Sequence, residues 1–137
     1  MSLANFTIDV DKLQEGRWVD IADDPDDLRL YLRSTRCSEY RKAYQRKMQK
    51  QIRVGRARKL DLDALGSIER ECVSEFCLLG WDNLLDPKTN EQIPYSREFS
   101  KQLMTEDKYQ LFREMVMANL NDIDAEYTDF EEDTVKN

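Results

Sequence analysis

The spacing of apolar residues constrains the fold most, and it changes character along the chain. Up to residue 33 apolar side chains alternate with polar ones, whereas after residue 37 they recur at every third or fourth position. Alternation is typical of a half-buried strand, and the longer spacing is typical of an amphipathic helix. The sequence therefore predicts an α+β fold that is mostly helical, with a small N-terminal antiparallel β-meander packed on a bundle of about four helices.

The predicted meander consists of three short strands. Their apolar residues alternate with polar ones in the segments 6–10, 18–21 and 28–32. The acidic run Asp23–Asp27, which contains Pro25, has the composition of a turn between the second and third strands. Two or three short strands are marginal alone, so we expect the meander to pack on the helices.

The first predicted helix begins at Cys37 or Ser38 and ends at Gly55, and the second is capped by Asp61 or Asp63 and runs to Leu79. The third covers residues 96–104, and the fourth covers residues 105–123. Gly80 is expected to end the second helix, and Ser96 and Thr105 are expected to cap the third and fourth. At 137 residues with 40% hydrophobic content, the chain suits one domain. We predict a single helical domain with the N-terminal β-meander at residues 1–127 and an acidic, disordered tail at residues 128–137.

Charge is sorted along the chain. Residues 1–28 hold 8 acidic and 2 basic residues, whereas residues 29–59 hold 1 acidic and 12 basic residues. The rest of the chain is acidic again, with 9 acidic and 4 basic residues at 60–104 and 10 acidic and 3 basic residues at 105–137. The net charge is −7. Such sorting indicates electrostatic complementarity within or between molecules and says little about the fold.

The side chains that most enzymes and metal sites use are scarce. The chain has no histidine and four glycines, and no phosphate-binding loop is present. The three cysteines, Cys37, Cys72 and Cys77, are expected to be reduced. Cys72 and Cys77 lack the spacing of a zinc site, and we expect them to be buried on their helix. The sequence predicts a protein that is not an enzyme, binds no cofactor or metal, and resides in a cytoplasm.

The basic segment 29–59 has three interpretations. The first is a solvated helix face, or one paired with the protein's own acidic tail. The second is a nucleic-acid-binding surface, because cations with nearby tyrosines suit phosphate contacts. The low isoelectric point of about 4.7 argues against it. The third is an electrostatic seam between protein chains.

Two parts of the chain resemble the tail assembly chaperones of long-tailed, siphovirus-type bacteriophages or prophages. The first contains the sequences FTIDV, GRWV and LRLYLRS between Phe6 and Ser34. The second contains GWDNLLD from Gly80 and IPYSRE from Ile93, followed by a helix through Phe112. The resemblance covers most of residues 5–121.

The resemblance implies a function that composition does not show. Proteins of that family bind the long, helical tape measure protein and keep it soluble until tail tube subunits polymerise around it. The tail tube protein is a further partner through a frameshifted longer form. The resemblance also implies a homo-oligomer in the host bacterial cytoplasm that is absent from the mature virion and contacts no membrane. The alternatives are a small nucleic-acid-binding regulator that uses segment 29–59 and a structural tail or head-completion protein.

Aromatic, methionine and basic residues are the candidates for contacting a protein partner, since such side chains line grooves that hold an amphipathic helix. Trp18 is expected on the exposed side of its strand, because Val19 and Ile21 take the other side. Trp81 and Tyr95 also fit turn anchors that pack on the core. The candidate partner-binding residues are Trp18, Tyr40, Arg41, Tyr44, Arg46, Lys47, Met48, Trp81 and Tyr95.

Overall fold

A computed structural model describes residues 2–55 and 62–136 of the chain. Strands β1 (Arg17–Asp20), β2 (Arg29–Leu32) and β3 (Leu78–Asp82) form an antiparallel sheet in the order β1-β2-β3. On its inner face Val19 lies opposite Leu30, which lies opposite Trp81. The expected α+β fold, mostly helical with a small antiparallel sheet, is confirmed.

The acidic turn between β1 and β2 forms as expected. Asp24 accepts hydrogen bonds from the backbone N–H groups of Asp26 and Leu28, both at 3.0 Å. Asp23 and Asp27 adopt positive φ angles of 62° and 57°, which aspartate tolerates better than most residues. The turn therefore reverses the chain and sets the register of the hairpin.

The strand predicted at residues 6–10 is wrong. A 3₁₀ turn covers Leu3–Phe6, and a short helix, α1, covers Val10–Gln14. The Asp9 carboxylate accepts hydrogen bonds from the N–H groups of Asp11 and Lys12, so it caps α1 where the alternation predicted a strand. The third strand of the sheet is β3, which comes from the middle of the chain.

Four longer helices complete the fold: α2 (Ser38–Gly55), α3 (Leu62–Phe76), α4 (Arg97–Thr105) and α5 (Gln110–Lys136). Ser96 caps α4 as expected, since its hydroxyl accepts a hydrogen bond from the Phe99 N–H at 3.0 Å. Within the described residues, no helix has the length and apolar character needed to cross a membrane.

Three of the predicted helix ends are wrong. The segment from Leu78 leaves the helix to pair with β2, so Gly80 lies inside a strand and does not end a helix. Thr105 is the last residue of α4, and its hydroxyl donates to the Lys101 carbonyl. Helix α5 continues past Ile123 to Lys136. The proposed division of the chain at residue 127 stays a prediction.

The core lies between the inner face of the sheet and helices α3, α4 and α5. Its completely buried apolar side chains are Leu30, Leu32, Val73, Cys77, Leu78, Met104, Val116 and Leu120. A second, smaller apolar cluster joins α2 to α3 through Ala43, Ile68 and Cys72. All three cysteines are buried and form no disulfide bond, and the expected burial of Cys72 and Cys77 is confirmed.

Candidate partner-binding site

Helix α2 is held to the rest of the molecule along one side. Among the described elements, α3 is the one against which α2 packs closely. Ala43 is buried at the contact, and Tyr40, Tyr44 and Met48 pack around it. Apolar positions at spacings of three and four place these side chains on one face, which leaves the polar face of α2 toward solvent.

The two tyrosines form the border between the buried and exposed faces of α2. Their rings stack with centroids 6.0 Å apart and an interplanar angle of 21°. Burial, together with the negative charge of Glu69, raises the pKa of the Tyr40 hydroxyl well above its usual range. Both tyrosines line an open cavity of about 430 Å³ together with Ser38, Arg41, Lys42 and Gln45. An aromatic pair beside two cations suits a protein side chain that is part apolar and part acidic.

Lys47 and Met48 face α3. The Lys47 ammonium lies 3.3 Å from a Glu71 carboxylate oxygen and 3.6 Å from one of Glu75. Burial opposes the charge on Lys47, but the hydrogen bond to Glu71 and the nearby Glu75 carboxylate raise the pKa of its ammonium overall. Met48 is half-buried in the cluster between α2 and α3. These two candidate residues therefore fasten α2 to α3.

The remaining cations of α2 point into solvent. Arg41 and Arg46, both candidates from the sequence, are exposed, and so are Lys42, Lys50 and Arg53. None of these five forms an ion pair with a residue in the described parts of the chain. We name this set the α2 cationic face. The candidate residues predicted from the sequence did not include Lys42, Lys50 and Arg53, although their spacing from Arg46 places them on the same helix face.

Trp18 lies on the outer face of the sheet, as its position in the alternation predicts. The side chain is 43% exposed, and its ring centroid is 5.3 Å from that of Tyr31. The Arg29 guanidinium lies 4.7 Å from the Trp18 ring centroid and also pairs with Asp20. Arg29 is therefore held by contacts within the sheet.

Trp81 lies in the core, and the partly buried Tyr95 packs against it. Trp81 is 5% exposed, and its indole N–H donates to the Ile93 carbonyl at 2.8 Å. The Tyr95 hydroxyl donates to the Leu78 carbonyl at 3.0 Å, and the two ring centroids are 4.8 Å apart. Their contacts fasten the segment after β3 to the sheet.

The nine candidate residues thus occupy three separate places. Trp18 is on the outer face of the sheet, Trp81 is in the core with Tyr95 packed against it, and the other six belong to α2. Of the six candidates in α2, the tyrosine pair, Arg41 and Arg46 remain available to a partner, and the other cations of the α2 cationic face lie beside them. This combination of exposed cations and aromatic rings is the candidate partner-binding site.

Among the side chains that the structure describes, which do not include those of residues 127–136, no three of His, Cys, Asp or Glu are placed to hold a metal ion. Burial raises the pKa of the Cys72 thiol to about 11. A hydrogen bond with Cys37, together with burial, raises the pKa of the Cys77 thiol. Cys72 and Cys77 are therefore neutral packing residues at pH 7.

Comparison with known proteins identifies the origin of the chain. A family model of the YdaY prophage protein matches residues 35–137. The chain belongs to the YdaY prophage protein family. The region that matches the family includes α2, α3, β3, α4 and α5, whereas β1 and β2 precede it. The expectation of a phage or prophage protein is confirmed.

The region that matches the family also contains the whole candidate site on α2. No curated protein and no protein of solved structure gives a significant match to this chain.

Proposed function

We propose that this prophage protein is a tail assembly chaperone that binds the tape measure protein. It binds stoichiometrically and keeps that protein soluble in the host bacterial cytoplasm until tail tube subunits polymerise. It then leaves, so the mature virion lacks it. A frameshifted longer form, where one is made, contacts the tail tube protein. Two findings support the proposal: the chain is a prophage protein, and its sequence resembles this class of chaperone.

The observation that carries the proposal is the exposed face of α2. It combines the stacked pair Tyr40 and Tyr44 with cations that have no ion-pair partner among the described residues. An amphipathic helix binds in a groove through apolar anchors, and charged residues at the rim fix its register. From Tyr40 to Arg53 the surface runs about 20 Å, since an α-helix rises about 1.5 Å per residue. This length suits about four turns of a partner helix.

The direct test is co-expression with the long coiled-coil protein encoded downstream in the same prophage. We expect the partner to be soluble and to co-purify with the wild-type protein. The partner should no longer co-purify with the variant Arg41→Glu/Arg46→Glu. Both arginines are exposed, and reversing their charge makes this surface repel the acidic side chains of the partner. The variant Arg97→Glu/Lys101→Glu carries the same charge change on α4 and serves as the control.

Two outcomes of that test would contradict the proposal. An insoluble partner in the presence of the wild-type protein would argue against chaperone activity. Equal co-purification with the Arg41→Glu/Arg46→Glu variant would show that α2 is not the contact surface. Mass spectrometry of purified particles separates the chaperone from a structural tail or head-completion protein, since a structural component is present in the particle.

A nucleic-acid-binding regulator is the second candidate, and the α2 cationic face favours it. The described part of segment 29–59 offers fewer available cations than its sequence suggests, because Arg29, Arg33 and Lys47 contact acceptors of the protein itself. Phosphate binding weakens steeply as salt is added. Retention of labelled DNA at moderate salt, lost in the Arg41→Glu/Arg46→Glu variant, would favour this candidate over the chaperone.

A further inference from the structure

A groove of about 350 Å³ lies between α3 and α5. In the described part of the chain its lining residues belong to these two helices, and they include Arg70 of α3 and Arg113 of α5. Helix α2 packs against other residues of α3, among them Ile68 and Cys72. The groove is therefore separate from the candidate site on α2.

Arg70 carries a buried donor without an acceptor. Among the described residues, its Nε is the one buried side-chain nitrogen or oxygen that has no hydrogen-bond partner. The end of the side chain lies against Gly66, where an added Cβ atom would be 3.1 Å from Nη1 of Arg70. A buried donor without a partner costs free energy that an incoming acceptor would recover.

Arg113 supplies a second guanidinium to the groove. One of its Nη atoms donates to the Met104 carbonyl at 3.4 Å, a long hydrogen bond that leaves its other N–H groups available. Neither Arg70 nor Arg113 forms an ion pair within the described part of the chain. Two cations that line one groove repel each other, and an anion bound between them would remove this repulsion.

Two glutamates at the border of the groove limit the kind of anion. Burial and then the Glu69 carboxylate raise the pKa of the Tyr40 hydroxyl, so this carboxylate lies near α2. The Glu114 carboxylate accepts a hydrogen bond from the Gln110 amide at 3.3 Å. Their charges favour a singly charged carboxylate over a doubly charged phosphate. Met117 also lines the groove and offers an apolar contact to the CH₂ groups of an acidic side chain, which a free ion lacks.

We propose that the groove between α3 and α5 binds the carboxylate of an acidic side chain from a partner protein. The Arg70 guanidinium makes no hydrogen bond in the described residues, so it can turn its Nε toward the groove without breaking one. Its Nε–H and one Nη–H then donate to the two carboxylate oxygens in a bidentate pair, and Arg113 adds a further donor. This site requires no residue of α2 and goes beyond the proposed function.

The Nε–H signal of Arg70 in ¹⁵N-correlated NMR spectra of the full chain reports the contact directly, because an acceptor at Nε shifts that signal. The probe is a blocked, alanine-rich peptide with one glutamate, and its control carries glutamine in the same place. The glutamate peptide should shift the signal and bind at least about tenfold more tightly than the glutamine peptide, since the charge-assisted pair is lost with glutamine. Sodium acetate and inorganic phosphate are the small-anion probes, and both should bind more weakly than the glutamate peptide.

Substitutions of Arg70 separate ligand binding from a structural role. Arg70→Gln and Arg70→Lys should each weaken binding of the glutamate peptide at least about tenfold, because lysine keeps the charge but lacks the planar fork. The urea midpoint of Arg70→Gln should match that of the wild type, since the free protein loses no hydrogen bond. Arg97→Gln removes an exposed arginine of α4 and is the matched control, which should bind like the wild type.

Several outcomes would overturn the proposal. These are equal binding of the glutamate and glutamine peptides, no binding of either, and wild-type affinity in either Arg70 variant. Acetate that binds as tightly as the glutamate peptide would overturn the assignment to a protein side chain, and phosphate that binds more tightly would overturn the preference for a carboxylate. Co-purification of the tape measure protein is scored separately, so either proposal can fail alone.

Discussion

Asp124 in α5 accepts a hydrogen bond of 2.6 Å from the Ser34 hydroxyl and thereby ties the C-terminal helix to the loop before α2. Its other carboxylate oxygen accepts one from the Thr35 hydroxyl at 2.5 Å. The Ser34 oxygen also accepts a hydrogen bond from the Arg36 N–H at 3.0 Å, which orders the turn into α2. The placement of the candidate site therefore depends on a residue of α5.

Replacing Asp124 with alanine should destabilise the protein. The change leaves two partly buried hydroxyls without their charged acceptor, and each such hydrogen bond contributes roughly 1.5–3 kcal/mol. We expect the free energy of unfolding to fall by about 2 kcal/mol or more in urea denaturation followed by circular dichroism. Asp122→Ala, an exposed change two residues away, should stay within about 0.5 kcal/mol of the wild type. Equal urea midpoints for the two variants would refute the role of this contact.

The two tryptophans should differ in their accessibility to a quencher. Trp18 is 43% exposed and Trp81 is 5% exposed. Acrylamide should quench the fluorescence of a Trp81→Phe variant, which retains Trp18, more strongly than that of a Trp18→Phe variant. Trp81→Phe should also be the less stable variant, by about 1–3 kcal/mol, because it loses the hydrogen bond to Ile93 and core volume. Similar quenching of both variants would contradict the described sheet faces.

Replacing Gly16 and Gly66 with alanine should change the stability of the protein in opposite directions. A Cβ atom at Gly16 would lie 2.6 Å from a Tyr31 ring carbon, so Gly16→Ala must displace the ring and should cost about 1–3 kcal/mol. At Gly66, inside α3, the new atom would meet the movable end of Arg70 at 3.1 Å. Gly66→Ala should therefore stabilise the helix by up to about 1 kcal/mol.

A double substitution identifies the cause of the Gly16 effect. If the ring of Tyr31 is the obstacle, Gly16→Ala should cost little when it is added to a Tyr31→Ala protein. Thermal unfolding of the four proteins of this cycle gives the coupling free energy between the two positions. A coupling energy near zero would mean that the cost has another origin.

Local signals predicted much of the fold. The spacing of Tyr40, Ala43 and Tyr44 predicted α2 and its buried face, and Ser96 predicted the start of α4. Each of these features depends on residues within a few positions of one another. The alternation around Trp18 also predicted its exposed side. The hairpin buries an apolar face only if Val19 points toward the core, and Trp18 then points away from it.

Features that depend on distant residues were missed. Leu79 continues the helical spacing of α3, and only the pairing of Gly80 with Tyr31, 49 positions earlier in the chain, shows that this segment is a strand. The predicted strand at residues 6–10 found no partner, and Phe6 and Val10 are each 62% exposed. At the site, the sequence did not show that Lys47 pairs with Glu71, whereas the other cations of the same helix are exposed.

Hydrogen–deuterium exchange of the protein with and without the tape measure protein tests most directly the claim that α2 binds this partner. The claim predicts that the partner slows exchange in the backbone amides of Ser38–Gly55, with the greatest protection beside Tyr40 and Tyr44. The Arg41→Glu/Arg46→Glu variant should keep the wild-type exchange of the free protein and lose the added protection. Protection confined to the sheet or to α4, with α2 unchanged, would contradict the claim.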